Sequence, residues 1–168
     1  MRTRRLLASS LVFFSLASGA AFAQEKHGTV TVKLTTAQAY QENGTRAPDK
    51  DAACMTKYKA YRGAAVTDTY KINTKTLIMS ASAKFHGVTT QLYPMGLSGS
   101  YSFISDGVPP QLAKLGVMQI IFQLNKQFAN PKNMIMFPLE TGFNCVLSNG
   151  ALDAAAAKEA LTGKPIKH

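Results

Sequence analysis

The chain has 168 residues, a formal net charge of +10, 46% hydrophobic residues and two cysteines. That length is one domain's worth and buries enough surface for a proper core, so a dense disulfide framework is not needed. The positive balance favours acidic proteins, anionic glycans or an anionic membrane surface as partners, and argues against an inhibitor of a basic hydrolase, which would present an acidic face.

The amino terminus reads as an export signal. Met1-Arg2-Thr3-Arg4-Arg5 is a positive start, residues 6–14 are mostly apolar, and Ala21-Phe22-Ala23 supplies a small-x-small cleavage site. The apolar stretch falls short of the roughly 20 residues that span a bilayer. Cleavage after Ala23 places Gln24, not a lipid-accepting cysteine, first in the mature chain. The expected organisation is therefore a leader over residues 1–23 and one globular domain over 24–168, periplasmic or secreted. Removing Arg2, Arg4 and Arg5 leaves sixteen basic against nine acidic residues, a net charge of +7. Export argues against nucleic acid as a partner. It also makes Cys54 and Cys145 a disulfide, because no C-x-x-C is present and an oxidising compartment pairs two lone cysteines.

In chain order, residues 27–36 alternate, with Val30, Val32 and Leu34 on one side and Thr29, Thr31, Lys33 and Thr35 on the other, which predicts a half-buried strand. Residues 41–49 carry Asn43-Gly44 and Pro48 and read as a loop. Asp49 or Asp51 caps a predicted helix to Arg62, with Gly63 ending it and Cys54, Tyr58 and Tyr61 on one face. Strands follow over 69–73, 76–86, 88–93 and 97–105. In the second of these Ile78 is an apolar exception on an otherwise polar face. Pro109-Pro110 opens a predicted helix reaching Phe128, so apolar that it lies across the sheet as the core. Its polar stripe is mostly glutamine, unlike that of a membrane-surface helix. Residues 134–137 and 142–148 read as strands and 151–161 as an alanine-rich helix. The expected fold is α+β: an antiparallel sheet of about five to seven strands packed by one long buried helix, with shorter flanking helices.

Chemistry-bearing patterns are sparse. His27, His86 and His168 share no helical spacing, and His27 would be the fourth mature residue, one beyond the third place that an amino-terminal copper clamp needs. Met134 and Met136 would share a strand face and could offer soft sulfur to copper(I), but methionine in that pattern is core filler far more often. No metal site or cofactor is assigned. Gly96-Leu97-Ser98-Gly99-Ser100 lacks the final glycine of a nucleophile elbow. Glu42, Asp49, Asp51 and Asp106 fall in loops or caps, so paired acids on one strand face, as a glycosidase needs, are not visible. Lys57, Lys59, Arg62, Lys71 and Lys75, interleaved with Tyr58, Tyr61 and Tyr70, form the candidate anion-binding surface. The expected function is non-catalytic binding to an acidic protein partner in the envelope or outside the cell, of inhibitor, immunity or accessory type, through a sheet edge or this basic surface. An alternative is a carrier of an anionic lipid or glycan at a helix–sheet seam near Ile120, Ile121 and Phe122. A small hydrolase with an unrecognised site ranks last.

Amino-terminal sequencing of the protein recovered from an exporting host is expected to begin at Gln24. A start at Met1 refutes the leader, and a start at Glu25 would make His27 the third residue.

Overall fold

The computed structural model describes residues 25–96 and 99–167; residues 1–24, which include the expected leader, Leu97, Ser98 and His168 lie outside them. Nine strands form one antiparallel sheet: β1 (Glu25–Lys33), β2 (Thr36–Gln41), β3 (Ala65–Asn73), β4 (Met79–Phe85), β5 (Val88–Met95), β6 (Ser100–Ser105), β7 (Gln119–Asn125), β8 (Lys132–Glu140) and β9 (Phe143–Ser148). Their order is β1-β3-β4-β5-β6-β7-β8-β9-β2. Strands β3 to β9 are thus an up-and-down meander, and β1 and β2 flank its opposite edges. Only Leu34 and Thr35 separate those two edge strands. Leu34 N–H donates to Ala64 O beside β3 (2.9 Å), and Thr35 N–H donates to Ser148 O of β9 (2.8 Å). The sheet therefore curls into a half-barrel whose two edges meet at this corner.

Among the described residues three short α-helices join the sheet: α1 (Asp51–Lys57), α2 (Pro110–Ala113) and α3 (Ala154–Thr162). The concave face is filled by residues such as Leu34, Val66, Phe85, Phe103, Phe122 and Phe137, all at most 1% exposed. The convex face of β6–β9 carries a second core, where Ala157 and Ala160 of α3 cover Met95, Ile104, Ile121, Met134 and Val146. Asp153 caps α3, accepting from Ala155 N–H (3.1 Å) and Ala156 N–H (3.0 Å). On β1, Gly28 faces Tyr70 of β3, and a Cβ there would stand 2.7 Å from the Tyr70 hydroxyl, so the ring lies where a side chain would be.

This architecture corrects the expected α+β fold. Among the described residues there are nine strands, not five to seven, and no long helix packs the sheet. Residues 109–128 instead give the single turn of α2, a Gly116 at φ 90° that ends it, and β7. The cause is that β7 is buried on both faces: Ile120, Phe122 and Leu124 point into the half-barrel, and Ile121 lies under α3. Such a strand loses its alternation, and its apolar run reads like a buried helix. Thr36–Gln41, which runs from the end of the predicted strand to the start of the predicted loop, forms β2. The predicted strand over 76–86 starts only at Met79, because Leu77 adopts φ 58° in the β3–β4 turn. The predicted helix to Arg62 stops at Lys57 and continues as a 3-10 turn.

One end of the half-barrel is closed by α1. The Cys54–Cys145 disulfide ties α1 to β9, and both cysteines are fully buried. The ring of Tyr58 lies 4.4 Å from that of Phe137 and its hydroxyl donates to Pro138 O. Arg46 grips Asp51 with both guanidinium nitrogens (2.6 and 2.5 Å), and Asp51 also accepts Ala39 N–H (2.8 Å). Burial pushes the Asp51 carboxyl up, but the Arg46 fork and the Ala39 amide outweigh it and hold it below its usual value.

The disulfide spans 91 positions of sequence. Replacing both cysteines by alanine is expected to lower unfolding free energy by about 4–5 kcal/mol, the chain entropy of so long a loop. Urea unfolding of this double variant against the oxidised protein measures it; an unchanged midpoint refutes the cross-link's role.

Candidate functional site

The basic residues singled out from sequence divide between the two ends of β3. Lys59 and Arg62 are exposed beside the disulfide end, where Arg62 leans on Met55 Sδ at 3.6 Å. Lys57 there donates its ammonium to Leu139 O (2.9 Å). Lys71 and Lys75 lie toward the opposite end, and Lys71 faces Glu25 at 3.5 Å. Six steps along the strand separate Ala65 from Lys71, roughly 20 Å at the usual rise. The seam expected near Ile120, Ile121 and Phe122 does not exist. Ile120 and Phe122 fill the concave core and Ile121 the convex one, each 0% exposed, and no long helix lies against them.

A groove that sequence reasoning did not assign lies at the end of the sheet away from the disulfide. It opens between the β3–β4 turn, the ends of β5 and β6, and the carboxy-terminal tail, with a volume of about 870 Å³. Leu77, Ile78, Met79, Tyr93, Met95 and Ile166 form much of its wall. Of the large apolar residues left exposed among the described residues, Leu77 (59%), Ile78 (74%) and Ile166 (41%) gather here, while Met55 and Met118 lie elsewhere. Large apolar side chains left in water together mark a binding surface more often than chance exposure does. The tail is held in place: Ile166 N–H donates to Pro94 O (2.8 Å), and Lys167 pairs with Asp106. Gly163 lets the chain leave α3 over this wall, since a Cβ there would fall 2.0 Å from Met95 Cε.

Two ammonium groups stand on the aromatic rim. Lys126 Nζ lies 4.0 Å from the centre of the Tyr101 ring and Lys167 Nζ 5.4 Å from that of Tyr93. The Asp106 carboxylate raises the Lys167 pKa. Lys126 has no carboxylate partner among the described residues and remains available to an anion. The sequence signal for this site was Ile78, the apolar residue out of phase on the predicted strand.

Several other titratable and sulfur-bearing side chains singled out from sequence have partners of their own among the described residues. His86 occupies the tight β4–β5 turn with Gly87 (φ 47° and 74°), its ring against Tyr61 and Phe85. Glu140 pairs with Lys50 and Asp106 with Lys167. Met134 is 1% exposed beneath α3 with Met136 packed beside it. Among the described residues no three His, Cys, Asp or Glu side chains are grouped to hold a metal.

One buried polar pair crosses the interior. Asp68 of β3 and Asn133 of β8 are both 0% exposed, and Asn133 Nδ2 donates to both Asp68 oxygens at 2.9 and 3.0 Å. Burial raises the Asp68 carboxyl to about 7, against the lowering pull of the Asn133 amide. Thr90 Oγ1 and Asn133 Oδ1 are buried without a hydrogen-bond partner.

No protein-family model, no curated protein and no solved structure matches this chain. Its functional reading rests on its own residues.

The raised Asp68 pKa has a stability consequence. An unfolded aspartate titrates near 3.9 and the folded one at about 7, so the folded state keeps a proton that the unfolded state releases. This contribution is complete below about pH 4 and is lost as pH rises through about 7. Unfolding free energy is expected to fall by a few kcal/mol at most between about pH 5 and about pH 8. Asp68→Asn should flatten that decline and gain relative to wild type at the higher pH. Equal pH slopes for the two proteins refute the assignment.

Proposed function

We propose that the protein is an exported binding protein without catalytic activity, and that its groove takes a small amphiphile with an apolar body and an anionic group. The clustering of Leu77, Ile78 and Ile166 around a groove of about 870 Å³ carries this reading. The volume lies within the range of small-molecule sites. The free ammonium of Lys126 on the Tyr101 face supplies charge for one end of such a ligand. Covering roughly 250 Å² of apolar surface contributes about 6 kcal/mol before association costs, which points to micromolar rather than nanomolar affinity. A disulfide and the lack, among the described residues, of a helix long and apolar enough to cross a membrane are compatible with export. The basic surface offers less to an acidic protein partner than its composition promised, because Lys57 is engaged and the other residues are divided along β3.

Two probes test this reading. Anilinonaphthalene sulfonate is apolar with a sulfonate; N-phenyl-1-naphthylamine is similar and neutral. Both are expected to bind at one site with blue-shifted fluorescence. Ile78→Asp, at an exposed position that folding does not need, should weaken both by about tenfold or more. Lys126→Glu should weaken only the sulfonate. Absence of saturable binding, or an unaffected Ile78→Asp variant, refutes the groove.

A further inference from the structure

The two edges of the sheet differ. At β2 the chain folds back over its own edge: Ala47 N–H donates to Ala39 O (2.9 Å), Gln41 N–H to Thr45 O (2.8 Å), and Arg46 to Ala39 O (3.1 Å). Asp51 takes the Ala39 amide. That edge is satisfied. β1 has no such cover: it is nine residues long, pairs only with β3, and no hydrogen bond among the described residues reaches its outer side. Successive residues of an antiparallel strand direct their N–H and C=O groups to opposite sides. Leu34 N–H points toward β3's side, at Ala64, so Glu25, His27, Thr29, Thr31 and Lys33 direct theirs outward. An uncovered edge of this length is a template for another strand.

We propose that this edge pairs with the same edge of a second copy of the chain, antiparallel and centred on Thr29. The inference does not depend on the groove. Its warrant is the charge pattern of the strand, Glu25-Lys26-His27-Gly28-Thr29-Val30-Thr31-Val32-Lys33. A two-fold axis at Thr29 sets Glu25 opposite the partner's Lys33 at both ends, His27 opposite the partner's Thr31, and Thr29 opposite the partner's Thr29. All nine residues pair, and the outward backbone groups meet. Sliding the symmetric register one step either way sets Glu25 opposite Thr31 or Thr35 and removes both attractive contacts. The pairing also extends hydroxyl rows already present, for Thr29 and Thr31 touch Thr69 and Thr67 of β3 at 3.3 and 2.9 Å. Glu25, now 3.5 Å from Lys71, would stand between two ammonium groups. Such an interface holds about ten backbone hydrogen bonds, as many as a standard one, but a strip this narrow buries less than the roughly 800 Å² per partner of stable complexes. The dimer is accordingly concentration-dependent.

Sedimentation velocity of the full chain expressed in an exporting host, over about 5 to about 500 µM, tests the proposal. A monomer–dimer equilibrium is expected within that range. Thr29→Pro removes an outward N–H at the centre of an edge strand, where proline is tolerated, and should leave a monomer at every concentration. Lys33→Glu, at an exposed end of the strand, should weaken dimerisation roughly tenfold. The swap Glu25→Lys/Lys33→Glu should restore it, which a non-specific contact would not do. A wild type that stays monomeric, a dimer indifferent to Thr29→Pro, or a swap that fails to restore association overturns the proposal.

Discussion

Leu34 and Thr35 bridge the two outermost strands of a nine-stranded sheet, and the rest of the structure follows from that short link. Two residues cannot cross a flat sheet of that width, so the sheet must curl until its ends touch. Curling creates a concave side that has to be filled. The aromatic and aliphatic residues of β3–β9 fill it, and α1 with the turn after it closes one end through Cys54, Tyr58 and Tyr61. The convex side of the later strands would remain apolar in water without α3, whose alanines allow a close approach to Ile121, Met134 and Val146.

The same constraint makes the two ends unlike. At the disulfide end a covalent bond, the packed rings of Tyr58, Tyr61 and Phe137 and the Arg46–Asp51 fork hold the chain around α1. The far end has turns and a carboxy-terminal tail in place of a helix, and there Leu77, Ile78 and Ile166 remain in contact with solvent. The cross-linked end and the unfilled apolar wall at the other are the two features on which the proposed binding role rests. Between them, Asp68 and Asn133 join β3 to β8 across the core. A carboxyl kept from water there stays neutral to a higher pH than usual, because ionisation would leave a charge with only one amide to solvate it.

Legibility in the sequence followed how many faces of an element are buried. β1, β3 and β4 have one face in the core and one in water, so Val30 and Val32, or Ala81 and Ala83, alternate visibly with polar neighbours. β7 does not, and Ile120-Ile121-Phe122 reads as a helix because α3, distant in sequence, buries the face that would have been polar. Ile78 gave a usable signal for the groove by standing out of phase. Ile166 gave none, since an isoleucine in a polar tail has no periodicity to break. The basic residues between Lys57 and Lys75 are close in sequence and far apart in space, because β3 runs between them.

By itself the sequence determined the local and covalent facts: a leader-like amino terminus, a pair of cysteines suited to one disulfide, a positive balance, and the alternating strands, all set by residues near one another or by composition. Tertiary structure alone decided the curl of the sheet, the strand identity of β7, the raised pKa of Asp68, the groove beside Lys126 and the bare edge of β1. Each of these depends on which distant segment covers a given face or edge, and local chemistry does not encode which surfaces the fold will cover.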